Sequence, residues 1–164
     1  MLYTLSPSPL GELLLAGPAP GTLAVLAAPG GAAVRRPEPD WTRDDAAFAD
    51  AVRQLDGYFC GALRGFDLRL EPRGTAFRRR VWAALDRVPY GTTVSYAGLA
   101  ELAGLPRGSA RAVGGAVGAN PLLVVRPCHR VVGAAGTLTG FAAGLEAKRR
   151  LLAVEGLAGA PPAR

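Results

Sequence analysis

Residues 95–118 read SYAGLAELAGLPRGSARAVGGAVG, two helix-length segments either side of a short turn. Ser95 is a good N-cap for a helix running to about Ala103, with Leu99 and Leu102 as its expected core contacts and Gly104 as its stop. After a turn over Leu105–Gly108, Ser109 is placed to cap a second helix reaching roughly Gly118. Val113, Ala116 and Val117 form the apolar set of that helix, and Arg111, about 200° from Val113, is directed away from the core. The pair is a helix-turn-helix candidate. Alone this signal is weak, because many helical pairs share it and an exposed Arg is ordinarily a solvated surface charge.

Downstream of Pro72-Arg73-Gly74, Thr75 is placed to cap a helix over Ala76–Val88 with Phe77, Val81, Leu85 and Val88 on one face, and Pro89-Tyr90-Gly91 ends it. Upstream, the apolar runs Leu2–Leu5, Leu10–Ala16 and Thr22–Ala27 are separated by Pro and Gly and read as a strand meander. Pro29–Pro39 reads as a loop. Asp45–Leu63 reads as a helix whose buried stripe is Phe48, Val52, Leu55 and Phe59, followed by Cys60 as a small core hydrophobe. Phe66–Leu70 alternates like a further strand. The expected fold is α+β: a small α/β N-terminal domain over residues 1–72 and a mainly helical C-terminal domain over 73–164 carrying the helix-turn-helix.

The chain has 164 residues, 49% hydrophobic, with a formal charge of +6. It has no apolar run of about 18 residues, so a membrane partner is not expected. No basic stretch precedes the first apolar patch, which argues against a secretory leader and for a cytoplasmic protein. Two Cys and one His fall short of a disulfide framework or a four-ligand zinc site, so no metal is expected. Residues 1–72 carry 6 basic and 9 acidic side chains and residues 73–164 carry 13 and 4. A charge of +9 on the second part suits a polyanion such as nucleic acid. By itself it suits a solvated basic surface equally well.

Pro127-Cys128-His129-Arg130 follows Leu122–Val125, which reads as a strand or extended segment delivering the cysteine to its end. A free thiol is mostly protonated at neutral pH, and a nucleophilic Cys needs a base or positive charge beside it. His129, the only histidine, and Arg130 are placed to supply both. Adjacent residues in an extended chain face opposite ways, so the His would act through a water and needs an orienting carboxylate on its far nitrogen. Asp86 and Glu101 are expected on exposed helix faces and Glu146 pairs with Arg150, which leaves Glu155 as the best candidate. A protease-type pair brings its His from a distant part of the chain, and there is no second His here, so a cysteine hydrolase is the weaker enzyme reading.

These residues resemble the O6-alkylguanine-DNA alkyltransferase family. The likeness rests on Gly74-Thr75-Ala76-Phe77, Val81-Trp82, Val88–Tyr96, Ala110–Gly114, Asn120-Pro121, Pro127–Val132, Gly144–Lys148, Leu151-Leu152 and Glu155-Gly156. The Pro-Cys-His-Arg-Val core with its upstream Asn-Pro is highly specific. The N-terminal half matches loosely, mainly as Tyr58-Phe59 and Phe66–Leu70. The resemblance implies a ribonuclease-H-like N-terminal domain and a winged-helix-like C-terminal one. It implies direct-reversal DNA repair, with one irreversible transfer per molecule of a methyl or small alkyl group from guanine O6 to Cys128.

In that reading Glu155, His129 and a water deprotonate Cys128, with Asn120 beside the thiol. Arg111 fills the space of the flipped nucleotide, and Tyr96 displaces the target phosphate and serves the departing guanine. Thr92, Ser95, Ala112 and Gly114 belong to the same DNA-binding face. Pro127, Arg130, Val131, Phe141, Ala142 and Ala143 form the substrate pocket. The partner is double-stranded DNA containing O6-alkylguanine, bound by a monomer without metal or cofactor. Flipping fits the chemistry, because guanine O6 is engaged in pairing inside the duplex.

Three departures bear on this reading. Phe141 stands where many relatives have Tyr, and Ala142-Ala143 leave room for groups larger than methyl. Arg126 stands where relatives usually carry an aliphatic residue; it either shares a face with Cys128 and favours thiolate or, the preferred reading, snorkels to solvent. Two other classes compete. An alkyltransferase-like lesion-binding protein lacks the acceptor cysteine, which this chain retains, and a helix-turn-helix regulator would leave the Cys-His centre without a role.

Overall fold

The computed structural model describes residues 1–30 and 35–157. Four strands open the chain: β1 (Leu2–Ser6), β2 (Leu13–Gly17), β3 (Thr22–Leu23) and β4 (Val25–Ala27). After residues 35–41, β5 (Thr42–Arg43) lies parallel to β1, giving a sheet of order β4-β2-β1-β5. β1 and β2 pair antiparallel with Tyr3 opposite Ala16. All five residues of β2 are buried, which is why this inner strand is an unbroken apolar run. Leu14 and Ala16 face one side with Tyr3 and Trp41, while Leu13 and Leu15 enter the main core. The loop expected over 29–39 falls partly outside the described residues.

A 3-10 turn at Ala46–Phe48 leads into α1 (Ala49–Phe59), and β6 (Arg69–Leu70) pairs parallel to β3. The buried stripe of α1 is Ala51, Leu55 and Tyr58, with Phe48 ahead of it. Val52 and Phe59 are only half-buried, so the expected stripe is rotated by about one residue. Cys60, expected in the core, is exposed, because the helix has ended and the chain turns outward.

The second part contains α2 (Ala76–Leu85), β7 (Val94–Ser95), α3 (Tyr96–Leu102), α4 (Ala110–Gly118), β8 (Val131–Val132) and α5 (Leu145–Val154). Thr75 caps α2 by accepting from the Arg78 N–H, and Ser95 caps α3 by accepting from Gly98 N–H. Ser109 does not cap α4. Residues 107–109 form a 3-10 turn that runs straight into the helix, leaving no open N-cap geometry. Phe77 and Leu102, expected inside, are among the exposed large apolar residues.

Trp82 carries the packing of this part. It is buried, its Nε1–H donates to the Ala116 carbonyl of α4 at 2.8 Å, and a Cβ on Gly74 would lie 2.4 Å from its ring. Val113, Ala116 and Val117 face the core as expected, and Arg111 is exposed.

One core spans both parts, from Leu13 and Leu26 through Tyr58 to Val113 and Leu151. The parts are stitched at Leu26, whose N–H donates to Pro121 O at 2.8 Å and whose carbonyl accepts from Leu123 N–H at 3.0 Å. Among the described residues no helix is long and apolar enough to cross a membrane. Since the core is shared, thermal unfolding is expected as one cooperative transition. Leu26→Ala should lower stability by about 2–5 kcal/mol while retaining a single transition; two separated transitions by calorimetry would contradict this account.

Candidate active site

The approach to Cys128 is a stapled bend instead of a strand. Asn120 Oδ1 accepts from Leu122 N–H at 3.0 Å, and its Nδ2 donates to the carbonyls of Leu122 and Arg126 at 3.3 and 3.2 Å. Val124 sits at φ 69°, a left-handed conformation that a β-branched residue adopts only when its surroundings impose it. Cys128, His129 and Arg130 form a 3-10 turn. With three residues per turn, Cys128 and His129 diverge by about 120°, less than the opposition of an extended chain.

Glu155 lies at the C-cap of α5 with its side chain fully buried. His129 Nε2 lies 2.7 Å from Glu155 Oε1. Arg130 grips the carboxylate with Nε on Oε2 at 2.9 Å and Nη2 on Oε1 at 3.0 Å, and the Gly91 N–H donates to Oε2 at 3.0 Å. Tyr58, arriving from α1, donates its hydroxyl to Oε1 at 2.7 Å and stands 3.2 Å from His129 Nε2. The carboxylate picked out in the sequence is thus brought to the histidine. Sequence reasoning misses Tyr58 as a site residue; its signals are a polar tip on a ring at helical spacing from Phe48 and Leu55, and its place in the loosely matching Tyr58-Phe59 pair.

Burial by itself would raise the Glu155 pKa, but hydrogen bonds from His129 and Arg130 overcome it and hold the carboxyl well below the usual carboxylate range. Burial lowers the His129 pKa despite the opposing pull of Glu155. A neutral His129 facing an ionised carboxylate carries its proton on Nε2. Its Nδ1 therefore presents a lone pair, and this buried nitrogen has no hydrogen-bond partner among the described residues. Burial pushes the Cys128 thiol up to about 11, with Asn120, Lys148 and Arg126 pulling part of the way back. Arg130, considered as an activator of the thiol, spends its guanidinium on Glu155 and on the Val88 carbonyl.

Cys128 opens onto a pocket of about 520 Å³ lined by Tyr96, Gly114 and Val117 on one side and by Thr139, Phe141 and Ala142 on the other. Pro127, Arg130, Val131 and Ala143 are not among the lining residues. Arg130 turns to Glu155, Ala143 is buried in the core, and the Val131 carbonyl accepts from Lys148 Nζ at 2.6 Å. Lys148 also donates to Thr139 O at 2.9 Å, tying the pocket loop to β8; burial lowers its pKa to about 8. Arg111, Ala112 and Thr92 are exposed, while Ser95 spends its hydroxyl on the α3 cap. Among the described residues no three His, Cys, Asp or Glu side chains are grouped to hold a metal.

Arg126 does not snorkel. It is buried, lies 5.2 Å over the Trp82 ring, and pairs with Asp86 through Nε–Oδ1 at 2.8 Å and Nη2–Oδ2 at 3.1 Å. The bend at 122–126 turns it inward, onto the carboxylate at the end of α2. Its Nη1 has no partner among the described residues. Removing Asp86 leaves a buried cation unpaired, whereas replacing Arg126 leaves only a partly exposed carboxylate. Arg126→Leu is expected to stay within about 1 kcal/mol of the wild type, and Asp86→Ala to lose about 1–3 kcal/mol, Asp86 being partly exposed. Chemical denaturation of both variants checks the order.

A buried thiol at the floor of a pocket, beside a carboxylate-oriented histidine and a helix-turn-helix, defines an enzyme that uses cysteine chemistry at a macromolecular surface. Comparison with known proteins specifies which. Two family models cover the chain: 6-O-methylguanine DNA methyltransferase, ribonuclease-like domain, over residues 1–72, and its DNA binding domain over 76–157. A methylated-DNA--protein-cysteine methyltransferase of Methanosarcina acetivorans is 44% identical over 156 residues, 95% of this chain and 99% of that protein. One from Mycobacterium tuberculosis is 53% identical over 115 residues, 70% and 69% of the two chains. The crystal structure of Mycobacterium tuberculosis OGT in complex with DNA aligns at TM-score 0.89 and 44% identity, covering 98% of this chain and 96% of that one. The chain belongs to the methylated-DNA--protein-cysteine methyltransferase family, enzymes of direct-reversal DNA repair.

Proposed function

We propose that this protein transfers the alkyl group of O6-alkylguanine in double-stranded DNA to the sulfur of Cys128, once per molecule. The observation that carries the mechanism is the unpartnered lone pair on His129 Nδ1, in a buried imidazole whose other nitrogen is held by Glu155. Through one water, Nδ1 takes the Cys128 proton as the thiolate attacks the alkyl carbon. The sulfur–carbon bond forms and the carbon–O6 bond breaks, leaving its electron pair on guanine. Guanine then takes up a proton from the Tyr96 hydroxyl in the pocket wall, and solvent restores that hydroxyl as His129 releases the thiol proton. The net change is a thiol proton exchanged for an alkyl group. Asn120 holds the bend that presents the thiol. No metal or cofactor takes part, and nothing in the site is suited to hydrolyse the thioether.

Residues 1–72 and 73–164 act as two domains of a cytoplasmic monomer, the second binding DNA. Arg111, exposed in the first turn of α4, enters the duplex where the target nucleotide leaves, flanked by Thr92, Ser95, Ala112 and Gly114. The relative solved in complex with DNA supports DNA binding by this chain. Pocket access then depends on Phe141 and Ala142, with Ala143 packed behind them.

Incubation with an oligonucleotide bearing one O6-methylguanine should add one methyl to the intact mass, mapped to the Cys128 peptide and stopping at one. Unchanged mass with lesion-selective binding would establish the lesion-binding alternative instead. Glu155→Gln should slow transfer by about 10²–10⁴-fold with lesion binding retained. A benzyl adduct should react within about tenfold of methyl; strong exclusion of benzyl would show that the pocket's small residues do not widen it.

A further inference from the structure

We infer that Tyr58, supplied by the N-terminal half, is a positioning residue of the relay: its hydroxyl holds His129 neutral, in the tautomer that leaves Nδ1 free. The inference rests on the proposed role of His129 and adds to it a function for α1. Tyr58 is fully buried, with its ring 5.4 Å from Phe66 and 6.2 Å from Tyr90, so its hydroxyl is delivered to one place. That place is the gap between Glu155 Oε1, 2.7 Å away, and His129 Nε2, 3.2 Å away.

The proton assignment follows from what each atom can do. Glu155 is ionised and only accepts, so the Tyr58 hydrogen points to Oε1. The phenol oxygen then turns a lone pair toward Nε2, and Glu155 turns another. Two acceptors at one ring nitrogen require that nitrogen to carry the hydrogen. Burial and the neighbouring carboxylate keep the phenol itself neutral, far above its ordinary pKa.

The same hydroxyl restrains the charge of Glu155. Every charged or titratable neighbour enters the balance: Arg130 and Lys148 disfavour an imidazolium, Glu155 favours it, Cys128 lies next in the chain, and Tyr90 packs on the Tyr58 ring. Oε1 already accepts from Tyr58, His129 and Arg130. Deleting the phenol hydroxyl leaves more of the carboxylate charge to His129, which makes imidazolium easier to form. An imidazolium has no lone pair on Nδ1 and cannot accept the thiol proton.

Because His129 is the only histidine, its imidazole signals in tag-free protein can be titrated by NMR without assignment, whether or not alkyl transfer occurs. Wild type should show an Nε2–H tautomer and a midpoint below the ordinary histidine value. Tyr58→Phe, which keeps the ring, should raise the midpoint by about one unit. In the methyl-transfer assay its acid limb should rise equally, with rates about tenfold lower within that limb. Phe66→Leu, which loosens the same ring but keeps the hydroxyl, should lower thermal stability and leave the midpoint in place. An unmoved midpoint in Tyr58→Phe, or the same movement in Phe66→Leu, overturns the inference. A moved midpoint in a protein that transfers no alkyl group would uphold the role of Tyr58 and refute the proposed reaction.

Discussion

The Glu155 carboxylate is the interaction on which the rest of the structure depends. It is a fully buried anion at the C-terminal end of a helix, where both desolvation and the helix dipole oppose it. It persists because four residues from three separate pieces of chain donate to it. Tyr58 comes from α1, Gly91 from the turn after α2, and His129 and Arg130 from the 3-10 turn. Gly91 takes φ +72° there, a conformation that suits glycine. Tyr90 adds a hydroxyl donated to the Val154 carbonyl in the last turn of α5. The carboxylate therefore fixes the mutual positions of both halves. A local rule is broken at the place where the chemistry is proposed.

That arrangement reconciles a buried thiol with nucleophilic work. A thiol held near 11 is almost wholly protonated at neutral pH, and its burial shields it from solution oxidants and metals. Such a group suits a single use, provided that its proton leaves only as attack begins. A standing thiolate would need cations that outweigh its burial; Arg130, the nearest in sequence, is committed to Glu155, and Lys148 and Arg126 offset the burial only in part. The lone pair of a neutral His129 meets the requirement without placing a charge next to the sulfur.

Features governed by short-range geometry were legible in the sequence. The caps at Thr75 and Ser95, the core face Val113–Ala116–Val117 and the outward Arg111 each depend on one helix and its first turn. Glu155 was reached by elimination among four carboxylates, because the others had local partners or exposed faces. The cap expected at Ser109 fails locally, because a 3-10 turn runs straight into α4, but the larger differences depend on distant partners. Phe48, Val52, Leu55 and Phe59 fit helical spacing, but so do Phe48, Ala51, Leu55 and Tyr58; the choice was made by Glu155, 97 residues away from Tyr58. Arg126 turned inward because Asp86, 40 residues earlier, waits at the end of α2. No periodicity encodes the Asn120 staple that converts an apolar run into a bend.

The glycines of α4 show the same trade between local stability and the site. Gly114, Gly115 and Gly118 lie within nine residues of helix, and each costs about 0.5–1 kcal/mol relative to Ala. Gly114 and Gly118 both line the pocket beside Cys128. A Cβ at Gly114 would meet the Tyr96 ring at 3.6 Å, ordinary contact, and one at Gly118 would meet nothing within 4 Å. Backbone crowding therefore does not explain their choice. The space they leave empty is pocket space, so α4 gives up helical propensity on the face that lines the cavity beside Cys128. Val113 and Ala116 stay packed in the core and carry the fold, while Val117 borders both the core and the pocket. The helix is divided along its length: one side stabilises the protein, and the other is thinned to admit what the protein acts on.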